Sequence, residues 1–129
     1  MDLPITIQGW PLVEVVFNGP ADELLVQGWL DAMDALFDKA QPFGLLTRTS
    51  EHSDFSDSGR KAMGLWFKQS REKIEKYCVG VARISPSEDM VERLAGPKMQ
   101  AAMPCPIYAS VDVGQATAWL QKKLAESRT

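Results

Sequence analysis

The chain has 129 residues, 45% of them hydrophobic, and its 14 basic and 17 acidic side chains leave a net charge of -3. That length can bury one core without disulfide or metal staples, so a single domain over 1–129 is expected. The acidic balance argues against a nucleic-acid binder, which needs a basic face, and no apolar run approaches the ~20 residues of a membrane span.

Met1-Asp2-Leu3-Pro4 lacks the basic-then-apolar pattern of a secretory leader, and Cys78 and Cys105 fall in runs that read as buried strands. A reducing cytoplasm is the expected location. Ile5-Thr6-Ile7 alternates, Gly9-Trp10-Pro11 turns the chain, and Leu12-Val13-Glu14-Val15-Val16-Phe17 is rich in β-branched residues, which predicts two strands joined by a tight turn. Asn18-Gly19-Pro20 ends the second strand, with Pro20 suited to the first helical position because its missing N–H has no helical partner to lose. Leu25, Trp29, Ala32, Met33, Leu36 and Phe37 recur at steps of three and four and predict the buried face of a first helix. That face leaves Asp22, Glu23, Asp31, Asp34 and Asp38 to solvent, and Pro42 closes the helix.

Phe43 to Thr47 reads as a strand covered on both faces. From Arg48 to Met63 the chain is almost wholly polar, and a second helix is expected from about Ser58 to Lys76. It mixes Ala62, Met63, Leu65, Trp66, Phe67 and Ile74 with six cations. Cys78 to Ile84 predicts the next strand, and Ser85-Pro86-Ser87-Glu88 a capping box opening a helix that Gly96-Pro97 ends. A short turn is expected between Lys98 and Met103, then a one-faced strand on Ile107, Ala109 and Val111. Asp112-Val113-Gly114-Gln115 caps a last helix whose inner face carries Ala116, Trp119, Leu120 and Leu124.

Strands alternating with helices call for parallel strands and right-handed crossovers. The expected fold is α/β: a small, mainly parallel five-stranded sheet, its first strand antiparallel or at an edge, with four helices. The strand-to-helix junctions near Gly19, Ser58, Ser85 and Asp112 then share one rim, where ligands of such sheets usually bind.

The order of elements, together with Phe55-Ser56-Asp57-Ser58-Gly59 at a helix start, resembles the STAS domain of sulfate-transporter cytoplasmic regions and anti-sigma-factor antagonists. That family carries aspartate-serine-serine-glycine there, and Ser58 takes the place of its phosphoacceptor. The chain looks most like the stage-II sporulation protein AA-like group, mostly small bacterial proteins, some of which look related to the lipid-carrying Sec14 type. The resemblance implies a STAS-like βα superhelix and a non-enzymatic regulatory module without a cofactor, working as a homodimer or heterocomplex. It implies a partner protein bound through Phe55, Ser56, Asp57, Gly59, Arg60 and Lys61, with phosphorylation of Ser58 as the control.

The residues themselves leave alternatives open. A phosphate on Ser58 would meet free N–H groups, the positive end of the helix dipole and the cations of Arg60 and Lys61, but a serine there also serves simply as an N-cap. His52 lies among Glu51, Asp54 and Asp57, a pattern open to a metal or a general base, yet one histidine among loop carboxylates reads first as solvated. No Gly-x-Ser-x-Gly elbow exposes a nucleophile. Trp29, Trp66 and Trp119, with Met33 and Met63, either fill the core or line a pocket for a small apolar, lipid-like ligand. Cys78 and Cys105 read as small core residues, since neither is flanked in sequence by the cations or helix start that lower a thiol's pKa.

Overall fold

The computed structural model describes residues 5–49, 54–89, 91 and 96–127. Ile5–Gln8 (β1) and Leu12–Phe17 (β2) form the expected hairpin, antiparallel, with Ile5 opposite Phe17 and Gln8 opposite Glu14. Two residues of strand, Pro20–Ala21 (β3), come before the first helix, Glu23–Phe37 (α1). Pro20 is therefore not the first helical residue: Asp22 is the N-cap, its carboxylate accepting from Leu25 N–H at 3.0 Å. β3 pairs in parallel with Asp54–Phe55 (β5), beyond Phe43–Thr49 (β4). The carbonyls of Gly19 and Ala21 accept from Asp54 and Ser56, so the N–H that Pro20 lacks is not needed.

Asp57–Gln69 (α2) and Arg71–Tyr77 (α3) divide the single helix expected over Ser58 to Lys76. Ser70 sits buried at the break, and its backbone bonds to Trp66 O and from Ile74 N carry the helical ladder across it. Cys78–Ile84 (β6) follows directly. Of the helix expected from Ser85 to Gly96, Glu88, Asp89 and Val91 are helical, and positions 90 and 92–95 lie outside the described residues. Pro97, read as a terminator, opens Pro97–Ala102 (α4), the position where its missing N–H costs least. Gln100 of α4 donates to Ile107 O and accepts from Ile107 N, fixing the start of Ile107–Ser110 (β7). Val111, expected in that strand, lies beyond it and is exposed. Val113–Ser127 (α5) completes the chain, with Asp112 accepting from Gln115 N–H at 3.0 Å as its capping signal implied.

The fold is α/β, with a mixed five-stranded sheet of order β1-β2-β4-β6-β7. Only β1 is antiparallel to its neighbour, and it forms one edge of the sheet, with β7 at the other. Because the parallel strands follow chain order without reversal, right-handed crossovers put α1 and α2–α3 on one face. α5 has no later strand to rejoin and packs on the opposite face, over β4, β6 and β7. Among the described residues no helix is long and apolar enough to cross a membrane.

Each face has its own core. Under α1–α3 lie Val13, Val15, Phe17, Phe43 and Val81, met by Val26, Leu30, Met33 and Phe37 of α1. Val26 and Leu30 are the buried centre of that helix, whereas Leu25, Trp29, Ala32 and Leu36 are only partly covered, so its apolar stripe is rotated from the predicted one. Under α5 lie Leu46, Ala82 and Ile84, met by Ala116 and Leu120. Two glycines let α5 sit close to the strands. A Cβ on Gly44 would stand 2.6 Å from Leu120 Cδ1, and one on Gly80 2.8 Å from Trp119 Cη2, distances a real side chain cannot hold.

Candidate functional site

An uninterrupted strand order provides no switch point along the carboxyl rim, so the crevice in which such sheets usually hold ligands has no counterpart there. The space lies deeper. A cavity of about 300 Å³ separates α1 and α2 from the sheet. Trp29, Met33 and Phe37 come from α1, Met63, Trp66 and Phe67 from α2, and Phe17, Phe43, Leu45 and Val81 from the strands. Phe55, Ile74, Cys78 and Met103 add to the apolar wall, and Thr47 and Arg83 are its polar members.

Large rings hold the walls apart, since they brace one another and cannot collapse as flexible aliphatic chains can. Phe17 meets Trp29 edge-on at 5.0 Å between centroids and Phe55 at 5.6 Å. Phe37 stacks on Trp66 at 5.9 Å, and Trp66 meets Phe67 edge-on at 5.3 Å. Such pairs add about 0.5–1.5 kcal/mol each beyond burial of their area. Trp66 is also pinned by its indole N–H, which donates to Asp34 Oδ1 at 2.8 Å. Asp34, read as a solvent residue, is thus the link between α1 and α2. The Trp29 Nε1–H is buried and finds no acceptor among the described residues.

Cys78 and Cys105 are both buried and reduced, their sulfurs 3.9 Å apart. The hydrogen bond with Cys105, ahead of burial, pushes the Cys78 thiol well above the usual cysteine range. The same hydrogen bond lowers Cys105, with Arg83's charge helping and burial opposing. Burial lowers the pKa of Arg83, against the pull of Cys105. Sequence reasoning missed this cluster because the cation beside Cys105 comes from β6, 22 residues earlier in the chain.

The expected site residues divide between regions. Trp29, Met33, Met63 and Trp66 line the cavity, while Trp119 stands on the other face, stacked on Tyr108 at 5.4 Å with Lys123 over its ring. Phe55, expected at the partner-binding surface, is partly exposed and lines the cavity. Gly59 is buried at the contact of α2 with α1, where a Cβ would lie 3.1 Å from Val26 Cγ2. Ser56, not Ser58, is the N-cap: its hydroxyl accepts from Gly59 N–H at 3.0 Å. Ser58 is exposed in the first turn, its hydroxyl 3.2 Å from that of Ser56. Arg60 reaches Asp54 at 3.6 Å across exposed surface, and Asp57 and Lys61 are exposed. Ser58 and Lys61 join Glu23, Asp34 and Leu65 along an open groove between α1 and α2.

His52 and Glu51 lie outside the described residues. Among the described residues no group of three or more His, Cys, Asp or Glu side chains could hold a metal ion. No family model matches the chain, and no curated protein is similar to it at a significant level.

Proposed function

We propose that the protein binds a small, predominantly apolar molecule between its α1–α2 layer and the sheet, as a carrier or sensor. The observation that carries this reading is the aromatic-walled cavity of about 300 Å³ in a domain of 129 residues. Native cores pack with few voids larger than a water molecule, and a cavity of ~150 Å³ already accepts benzene. The lining suits binding better than chemistry, because it offers large flat surfaces and few groups that titrate. The STAS-like family assignment belongs to the same proposal, resting on element order and on Ser56-Asp57-Ser58-Gly59 at the start of α2. Titration with the neutral probe N-phenyl-1-naphthylamine tests it. Saturable one-to-one binding by the native chain, weakened about tenfold or more by Val81→Phe, supports the reading. Absence of saturable binding removes it.

A second reading, a partner protein docked at the α2 start, is favoured by one feature. The α1–α2 groove carries Leu65, 57% exposed, and has Ser58 and Lys61 on its border. Phosphate on Ser58 would place negative charge at a helix N-terminus beside Lys61 and alter that surface. Capture from the native lysate with the wild type and Ser58→Glu tests this: identical partners, or none for either, would remove the switch.

A further inference from the structure

The cavity's polar groups gather at one end. Thr47 and Arg83 are register partners on β4 and β6, near the C-terminal ends of both strands. At the opposite end Phe43 and Cys78, the first residues of their strands, are register partners in an apolar wall.

Among the described residues that line the cavity, Arg83 is the one with a permanent charge. The Arg83 guanidinium forms no ion pair or hydrogen bond with another described residue. Cys105 supplies negative charge beside it only where that thiol has ionised. Arg83 is partly buried, and a charge withdrawn even in part from water favours an opposite charge beside it. One anionic oxygen acceptor beside Arg83 supplies the missing charge while an apolar body fills the rest.

Resting on the reading of the cavity as a binding site, we propose that its ligand is an amphipathic carboxylate, with its carboxylate at Arg83 and its aliphatic or aromatic body against Phe37, Phe43 and Trp66. A volume about twice that of a benzene-holding cavity fits a body of roughly ten to fifteen non-hydrogen atoms. Arginine is the side chain suited to this task, being always charged and able to donate two parallel hydrogen bonds to a carboxylate.

The test is calorimetric titration of the full chain with decanoate, decanol and decylammonium, which share one tail and differ in headgroup. Native protein should bind decanoate about tenfold or more tighter than decanol, and decylammonium most weakly. Arg83→Met should bring decanoate to the level of decanol while leaving decanol binding unchanged, which also shows that the variant is folded. Equal binding of acid and alcohol, a preference for the amine, or an acid preference that survives Arg83→Met would each overturn the headgroup assignment and leave the cavity reading intact. Failure of all three compounds and of N-phenyl-1-naphthylamine would overturn both.

Discussion

Enlarging Val81 separates a hollow interior from a solid one by the sign of the effect. Val81 is only 4% exposed, sits mid-strand between Leu45 and Ile107, and faces the cavity. In a filled core, added carbons force neighbours off their rotamers at a cost of about 1–3 kcal/mol. Here they enter unoccupied space. Val81→Ile buries one more methylene and should stabilise by about 0.8 kcal/mol. Val81→Phe buries four more carbons, for a gross gain of about 3 kcal/mol and a net gain of about 2 kcal/mol once ordering the ring is charged against it. Urea unfolding followed by circular dichroism reads this directly. At a slope of about 1–3 kcal/mol per molar, the Val81→Phe midpoint should rise by roughly 1 M with the slope unchanged. A fall in both midpoints would mean that the interior is already filled and would refute the reasoning.

Gly44→Ala should cost about 1–3 kcal/mol, because its Cβ would stand 2.6 Å from Leu120 Cδ1; a double-mutant cycle with Leu120→Ala, read by urea unfolding, should show coupling above about 0.5 kcal/mol. Ser56→Ala should cost about 1 kcal/mol through loss of the α2 cap, against less than about 0.5 kcal/mol for Ser58→Ala, measured by the same unfolding transition. Thiolate absorbance against pH should show one cysteine ionising below the ordinary range and the other well above it. Cys78→Ala removes the hydrogen bond that lowers Cys105, and Arg83→Met its nearby cation, so both should move the Cys105 titration upward.

What the sequence made legible was local. Hydrophobic period, β-branched runs and capping residues are short-range signals, and they located β1, β2, β4, β6, β7, α1 and α5, together with the parallel character of the sheet. Features decided between distant segments were not legible. Glycine at 44 and 80 carried no mark of its role, since the need for it comes from Leu120 and Trp119 of a helix reached only at the chain's end. The β3–β5 pair is two residues long and joins positions 34 residues apart through backbone groups, which no side-chain pattern encodes. Side-chain periodicity likewise placed three tryptophans on three helices but could not assign them to faces. α5 crosses to the far side of the sheet, which separates Trp119 from Trp29 and Trp66. The Ser58 cap expectation failed by one short step, as Ser56 and Ser58 are equally able to cap and the chain's pairing at Ala21 fixes which does so.

The most direct measurement of the central claim is native mass spectrometry of the protein isolated from its own cells under non-denaturing conditions. A fraction of molecules should carry one small organic acid, released on denaturation and absent from Val81→Phe prepared in parallel. Only the mass of the bare chain, from a preparation that also fails to bind the neutral probe, would contradict it.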